Sequence, residues 1–387
     1  MTQQTAPGAL PSSAPVINAG FDGGNIHVFS GEGTGDEWRF DLEIVRDHDS
    51  DFYQWFFFRV AGARGRRIVF RIVNAGGSAY PAGWPGYSTR ASTDLVTWRQ
   101  IDTRYDDGIL SFDWQGDGDI VWFAYFAPYT MEMHARLIAS AALKPGVAHR
   151  QIGTTLDGQA IDYLRIGSGA KQVWLYARQH PGESMAEWWM DGALAWLTGE
   201  AAAPLLAAAT VHVVPNMNPD GTRRGHLRTN AAGVNLNREW HAPSVERSPE
   251  VLAVLRRMDE TGVDVALDVH GDEAIAANFI AGFEGIPSFT DAHGERFLAF
   301  GRRLAALAQS SQVIVVTHLA QVAAFANNHL SVVKSSDGSV TASSVRALDG
   351  EDREAEMARL LSGLTDSPAA LEHARELLTL GRSSLIG

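Results

Sequence analysis

The chain has 387 residues, 45% of them hydrophobic, which allows two compact domains and argues against disorder. It contains no cysteine, so any zinc site must be built from His, Asp or Glu. The formal net charge of -13 argues against general nucleic-acid binding. Residues 1–15 lack the features of a secretory signal, and no apolar run is long enough to span a bilayer. We therefore expect a soluble, cytoplasmic protein with no membrane and no nucleic-acid partner. Its oligomeric state is left open.

The first part of the chain has the pattern of an all-β domain. Residues 1–15 are predicted to be a flexible N-terminus, and residues 16–145 an antiparallel β-sandwich. Aromatic and β-branched residues alternate there with polar ones and are interrupted by Gly, Asp and Asn. The predicted strands are residues 38–44, 53–60, 67–73 and 119–126.

Residues 146–300 have the pattern of an α/β domain. Apolar runs typical of buried parallel strands alternate with helical stretches. The strands are predicted at residues 172–177, 210–214 and 263–269, and the helices at residues 184–197 and 248–261. Polar motifs follow the strand ends, where open α/β sheets usually place their sites.

The pattern changes again in residues 301–387. One strand-like segment, residues 312–317, precedes a turn at Asp337-Gly338 and two helical stretches from Asp352 onward. We predict a separate C-terminal segment here.

A histidine and a glutamate follow the predicted strand 172–177. In His180-Pro-Gly-Glu183 the two side chains are three residues apart, so both can face one ion if the backbone bends or a helix begins there. Such a pair is common by chance. The alternative is a histidine packed at a strand end beside an exposed glutamate, and the pair alone is a weak motif.

A second histidine ends the predicted strand 263–269. His270 belongs to Asp268-Val-His270-Gly-Asp272-Glu273, and neighbouring strand ends can converge. Two histidines and one glutamate leave the fourth zinc position open for a water, whose pKa zinc lowers toward about 7. Asp268 and Asp272 are candidates to orient the ligands, or else to cap the loop. By itself, His270 is equally well interpreted as a hydrogen-bonded, half-buried histidine.

Further polar residues lie between these two motifs. Asn237 and Arg238 offer an amide and a planar guanidinium, which together suit a carboxylate. Arg228 is a candidate to stabilise negative charge that develops on a scissile carbonyl oxygen. Taken singly, each arginine is more often a surface ion pair.

In chain order these motifs resemble the zinc carboxypeptidase family, which includes carboxypeptidase A. The cytosolic carboxypeptidase subfamily is more similar still, because its members share His-Pro-Gly-Glu, Asn-Pro-Asp-Gly, a Leu-Asn-Arg stretch and Asp-x-His-Gly. That subfamily removes C-terminal or side-chain glutamates from proteins such as tubulin. It also has an N-terminal β-sandwich, which residues 55–60 and 126–129 resemble. The matching motifs are His180-x-x-Glu183, Asn218-Pro-Asp-Gly221, Arg228, Asn237-Arg238 and His270.

The resemblance implies a zinc-dependent metallocarboxypeptidase in which zinc-activated water hydrolyses C-terminal residues, glutamate among them, of peptides or proteins. It also implies a mixed sheet in the α/β domain. The implied roles are zinc ligands at His180, Glu183 and His270, carboxylate ligands at Asn237 and Arg238, and an oxyanion-stabilising cation at Arg228. Carboxypeptidase A has an aspartate where this chain has Asn235, which alters any supporting role there.

The family's general base is a glutamate on a late strand, and its place in this chain is unknown. No predicted strand after Phe300 ends in such a glutamate. Glu351, Glu354 and Glu356 lie in a polar, helix-like stretch that is typical of a solvated face.

Residues 301–380 resemble instead the C-terminal end of the bacterial DNA-repair ATPase RecN. The segment from Gln312 to His318 is similar to that family's late strand and its switch histidine, which senses the γ-phosphate of ATP. The chain has no phosphate-binding loop of the G-x-x-x-x-G-K-[ST] type, so ATP hydrolysis is not expected. We predict a chimera joined near Phe300, with gene fusion, an error of assembly and deliberate joining as alternative origins.

Three functions follow from this sequence. The first is a zinc carboxypeptidase whose general base is still to be located. The second is a zinc- and carboxylate-binding pseudoenzyme that lacks the catalytic glutamate. The third is a carboxypeptidase-like chain fused to a non-catalytic DNA-repair ATPase fragment.

Overall fold

The computed structural model describes residues 14–273, 290–307, 320–336, 341–362 and 368–383. The chain divides into two compact units, Met1–Ala274 and Ile275–Gly387. Residues 1–13 of the predicted flexible N-terminus (residues 1–15), the strand-like segment 312–317, His318 and the Asp337-Gly338 turn lie outside the described residues. No helix among the described residues is long and apolar enough to cross a bilayer.

The first unit begins with two five-stranded sheets, ordered β1-β4-β10-β6-β7 and β2-β3-β5-β9-β8. The sheets are antiparallel except for the parallel pair β3 and β5. The strands are β1 (Val16–Asn18), β2 (His27–Thr34), β3 (Glu37–Glu43), β4 (Phe57–Ala61), β5 (Arg67–Ile72), β6 (Thr89–Ser92), β7 (Arg99–Ile101), β8 (Thr103–Asp106), β9 (Ile109–Trp114) and β10 (Ile120–Ala124).

One aromatic core joins the two sheets into a sandwich. Alternate residues of β3 and β5 are buried, as expected for strands with one face turned to a core. Phe70 on β5 is fully buried, and its ring centroid lies 5.7 Å from that of Phe58 and 5.0 Å from that of Phe123 on the other sheet. The β-sandwich prediction is therefore confirmed.

One predicted strand is shorter than expected. The sequence predicts a strand over residues 53–60, but β4 begins at Phe57. Residues 53–56 are all buried. Tyr53 O accepts from Ala79 N at 3.0 Å outside the sheet, whereas Phe56 O accepts from Tyr125 N at 2.9 Å and extends the pairing of β4 with β10 by one residue. Burial, more than regular strand pairing, explains the apolar side chains of this segment.

The rest of the first unit is an α/β domain with a mixed sheet ordered β11-β12-β14-β13-β15. β13 pairs in parallel with β14 and β15, and the other pairs are antiparallel. The elements are α1 (Met131–Ala142), β11 (Val147–Thr154), β12 (Ala160–Ile166), β13 (Lys171–Ala177), α2 (Ser184–Leu197), α3 (Ala203–Ala208), β14 (Ala209–Val214), α4 (Pro219–Arg224), α5 (Pro249–Thr261) and β15 (Val265–Val269).

Strand β15 is an edge of this sheet. Among the described residues it pairs only with β13. Its side chains are unusually exposed for a strand of this type, with Val265 at 50% and Leu267 at 44%. Every residue of β14, by contrast, is buried.

The second unit is described by itself. Antiparallel strands β16 and β17 form a hairpin, and the helices share a small core that includes Phe325, Met357 and Leu377. The sequence predicted the last two helices but not the hairpin. Helix α6 continues through the boundary that was predicted between residues 300 and 301. The predicted domain limits, 16–145, 146–300 and 301–387, stay predictions. The elements are α6 (Asp291–Leu307), α7 (Ala320–Ala323), β16 (His329–Ser336), β17 (Thr341–Leu348), α8 (Gly350–Ser362) and α9 (Pro368–Ser383).

Candidate metal centre

The loop between β13 and α2 is held in shape by a buried arginine. Arg178 has φ of 57°, a left-handed backbone conformation that turns the chain directly after the strand. Its Nε donates to Pro181 O at 3.1 Å, and its Nη1 donates to Tyr129 O at 2.5 Å and to Glu187 Oε2 at 2.6 Å. These bonds fix the curvature of the His180-Pro-Gly-Glu183 loop.

Three predicted ligands meet at the end of the sheet. His180 Nδ1 lies 2.7 Å from Glu183 Oε1, and His270 Nδ1 lies 2.9 Å from Glu183 Oε2. The candidate ligand atoms all lie within 4.8 Å of one another. They converge because β13 and β15 are adjacent and parallel, with Ala177 opposite Val269, so that both following loops leave at one edge.

The second ring nitrogen of each histidine has its own acceptor. His180 Nε2 lies 3.1 Å from Asn235 Oδ1, and His270 Nε2 lies 2.9 Å from Asp268 Oδ2. When each Nε2–H donates to these oxygens, each Nδ1 presents a lone pair to an ion. Two imidazole nitrogens and one carboxylate are the donors of an open zinc site, so the residues fit this metal.

The charges of the group depend on one another. Burial alone would raise the pKa of Glu183, but hydrogen bonds from His180 and His270 outweigh it and lower that pKa to about 2. Burial alone would lower the pKa of His270, but hydrogen bonds to Asp268 and Glu183 raise it to about 10. The Glu183 carboxylate thus stabilises positive charge at His270, and a metal cation that binds here would replace the proton on His270 Nδ1.

Gln179 is a supporting residue that sequence reasoning did not single out. It is fully buried, its Nε2 donates to Asp268 Oδ2 at 2.5 Å, and its Oε1 accepts from Trp240 Nε1 at 2.8 Å. Gln179 therefore fixes the aspartate that orients His270. The sequence signal was a polar residue directly after a buried strand and next to a candidate ligand.

A buried polar network lies behind the ligand loop. Glu187 on α2 accepts from Arg178, from Asn216 Nδ2 at 3.0 Å and from His134 Nδ1 at 2.6 Å. Burial alone would lower the pKa of His134, but hydrogen bonds to Asp162 and Glu187 raise it to about 9. The network thus anchors α2, which begins one residue after Glu183, to the loop and to α1.

The predicted substrate-binding residues, Asn237 and Arg238, are connected to the candidate metal centre only indirectly among the described contacts. Asn237 and Arg238 lie in a short 3-10 turn, where Arg238 is exposed and its Nη1 donates to Asn237 O at 2.9 Å. The turn is linked to the centre through Asn235, whose Oδ1 accepts from Asn237 N at 3.0 Å and also faces His180. The side chain that faces His180 is thus a neutral amide and not the aspartate that the resemblance to carboxypeptidase A implies.

Arg228 follows Leu227, whose backbone is hydrogen-bonded to the His180-Pro-Gly-Glu183 loop. Gly182 N donates to Leu227 O at 2.8 Å, which joins the Arg228 loop to the His180 loop. The Arg228 guanidinium lies 5.6 Å from the ring centroids of both Phe52 and Tyr80. These two rings belong to the N-terminal sandwich, and no local sequence pattern indicated them.

Four glutamates bear on the question of the general base. Glu354 and Glu356 are on α8 in the second unit, where they bind Arg375 and Arg359. Glu351 is exposed on the same helix. Glu273, to which the sequence assigned no role, lies three residues after His270. Burial first and the charge of Glu183 next raise the pKa of Glu273 to about 7.

The sheet is mixed, and two histidines and a glutamate lie together at the ends of two neighbouring parallel strands. These features place the chain among α/β proteins whose candidate metal centre has the donors that zinc prefers. Comparison with known proteins makes the class more specific. Residues 17–126 match the cytosolic carboxypeptidase N-terminal domain, and residues 133–277 match the zinc carboxypeptidase family. The metallo-carboxypeptidase of Burkholderia cenocepacia is similar in structure, with a TM-score of 0.73 and 39% identity over 80% of this chain and 84% of that chain. This chain belongs to the zinc carboxypeptidase family.

Two further relatives match different parts of the chain. An uncharacterized protein of Zymomonas mobilis is 53% identical over 292 residues, which is 75% of this chain and 76% of that protein. DNA repair protein RecN of Streptomyces coelicolor is 54% identical over 90 residues, 23% of this chain but only 16% of RecN. The predicted resemblance of the chain to two unrelated families is confirmed.

Proposed function

We propose that this chain is a zinc-dependent metallocarboxypeptidase that hydrolyses C-terminal residues of peptides or proteins. The observation that carries the proposal is the convergence of His180 Nδ1, His270 Nδ1 and the Glu183 carboxylate within 4.8 Å, with both Nε2 atoms facing acceptors. In this family such a set holds zinc, which supplies Lewis-acid activation of a water when bound.

The chain's own residues would bind and orient the substrate. Asn237 and Arg238 are proposed to bind the terminal carboxylate, and the exposure of Arg238 leaves its guanidinium accessible to a peptide. Arg228 is proposed to stabilise negative charge on the carbonyl oxygen of the bond that breaks. These roles rest on motif position, on the link of Arg228 to the ligand loop and on the link of Asn237 through Asn235.

Glutamate is the proposed terminal residue. The proposal rests on the resemblance to cytosolic carboxypeptidases and on the match of residues 17–126 to their N-terminal domain. A panel of peptides that differ only in the last residue tests it, with release of the free amino acid as the measurement. Equal release from all members would leave the peptidase activity standing and remove the glutamate preference.

Hydrolysis itself is tested with zinc-loaded protein. We expect release of the terminal amino acid, loss of release on chelation, and recovery when zinc is returned. Peptides with an amidated C-terminus are the matched control, because they lack the carboxylate that Asn237 and Arg238 are proposed to bind. Arg238→Ala should weaken binding of the free-acid peptide and leave the amide unaffected. No release by zinc-loaded protein from any free-acid peptide would contradict the proposal.

The second candidate is a zinc- and carboxylate-binding pseudoenzyme. The observation that favours it is that Glu354 and Glu356 are engaged with arginines within their own unit, while no predicted strand after Phe300 ends in a glutamate. Loss of a general base typically lowers rates about 10²- to 10⁴-fold. Binding of a free-acid peptide that depends on zinc, with turnover no faster than the uncatalysed reaction, would favour this candidate.

A further inference from the structure

Asp47 connects the N-terminal sandwich to the Arg228 loop. It lies between β3 and β4 and is only 3% exposed. Its carboxylate accepts from the backbone nitrogens of Leu227, Arg228 and Thr229 at 2.6, 2.8 and 2.9 Å, and from Thr229 Oγ1 at 3.0 Å. One side chain thus orders three consecutive residues that lie about 180 positions later in the chain.

The same three residues adjoin the metal ligands. Leu227 N donates to Asp47, while Leu227 O accepts from Gly182 N at 2.8 Å in the ligand loop. Asp47 is therefore separated from the His180-Pro-Gly-Glu183 loop by a single residue. A shift of the Leu227 backbone would therefore move the Arg228 side chain and also disturb the hydrogen bond from Gly182 N to Leu227 O.

The N-terminal domain also holds the Arg228 side chain. The guanidinium lies over the rings of Phe52 and Tyr80, an arrangement in which each aromatic face attracts the cation. Tyr80 is itself fixed, because the buried side chain of Gln54 accepts from Tyr80 N at 2.7 Å and donates to Tyr80 O at 3.1 Å. Backbone and guanidinium of Arg228 are thus both oriented by residues of the sandwich.

We propose that Asp47 is a positioning residue for Arg228, so that the N-terminal sandwich forms part of the carboxypeptidase site. The inference rests on the proposed function for its catalytic consequence, but the contacts that it invokes exist without that function. It gives the sandwich a definite task, which is to hold the cation that faces the developing negative charge. Asp47 itself touches neither substrate nor metal.

The first test is a double-mutant cycle with zinc-loaded, full-length protein. Asp47→Asn replaces one acceptor oxygen by an N–H donor that faces other N–H donors. We expect kcat to fall about 10- to 100-fold with KM nearly unchanged, because Arg228 is displaced where only the transition state needs it. In an Arg228→Ala background the same change should have little further effect. Asp51→Asn is the matched control, since Asp51 is on the same loop with a fully exposed side chain.

The second test does not depend on catalysis. Backbone hydrogen exchange at Leu227, or at Arg228 and Thr229, should accelerate at least about tenfold in Asp47→Asn relative to Asp51→Asn. Asp47 Oδ1 accepts from the first amide and Oδ2 from the other two, and the variant keeps only one of these oxygens. Zinc affinity and tryptophan fluorescence report that the variants are folded. Absence of hydrolysis by the parent protein, with this acceleration present, would refute the proposed function and keep the positioning role. Unchanged exchange, or an equal loss of kcat with and without Arg228, would overturn the inference.

Discussion

Replacement of Arg178 by methionine should strongly destabilise the unit that holds the metal centre. The Arg178 and Glu187 side chains are 3% and 0% exposed, and their charged atoms are 2.6 Å apart. Removing one partner of a buried ion pair typically costs about 3–5 kcal/mol. Glu187 keeps His134 and Asn216 as partners, so we expect Arg178→Met to lower the free energy of unfolding by about 3 kcal/mol, the lower end of this range. Adding Glu187→Gln should restore at least about 1 kcal/mol, since the side chain that lost its arginine is then neutral and His134 keeps Asp162 as its partner.

Urea unfolding followed by tryptophan fluorescence measures this effect selectively. All 11 tryptophans lie between Trp38 and Trp240, so the signal reports only on the unit Met1–Ala274. Arg136→Met is the matched control, because Arg136 and Glu132 form an ion pair whose side chains are 75% and 74% exposed. Such a pair contributes at most about 1 kcal/mol. Equal destabilisation by Arg178→Met and Arg136→Met would refute a large contribution of the buried ion pair to stability.

Three further predictions concern metal, pH and packing. Zinc at about 100 times its dissociation constant should stabilise the first unit by about 2.7 kcal/mol, and a thermal shift that persists in His180→Ala would contradict this. His134 has a folded pKa of about 9 against an ordinary 6.5, so its stabilisation is complete below pH 6.5 and lost as the pH rises through 9. Unfolding measured across this window should show the parent losing up to about 3 kcal/mol more than His134→Gln; parallel curves would exclude the effect. Phe70→Ala should cost about 3–5 kcal/mol. Phe29→Ala, at a side chain 52% exposed, should change stability by less than about 0.5 kcal/mol, and similar losses from both would count against the single aromatic core.

Those parts of the fold and site that depend on local pattern were predictable. The apolar run 172–177 became β13 because a strand buried on both faces needs continuous apolar residues. Helix α2 has the predicted bounds, since it starts directly after the Glu183 turn. The meeting of His180, Glu183 and His270 followed from the rule that parallel strands end at a common edge.

Contacts made between distant segments left no local signal. Asp47 and Tyr80 have ordinary loop sequences, and their relation to Arg228 exists only after the sandwich packs on the α/β domain. The parallel pairing of β3 with β5 likewise depends on how the chain returns across the sheet rather than on the alternation in either strand. Contacts of polar groups that form only when distant segments pack together therefore could not be predicted from the sequence.

Strand β15 brings His270 to the centre from the border of the sheet, and among the described residues it pairs with β13 alone. Ends and borders of sheets fray more readily than their middle. When β15 frays, one of the three ligands leaves with it, whereas His180 and Glu183 stay on a loop anchored by Arg178. A bound cation would therefore connect the loop after β13 to the loop after β15. Metal binding and the pairing of β15 with β13 would then be thermodynamically linked, so that each stabilises the other.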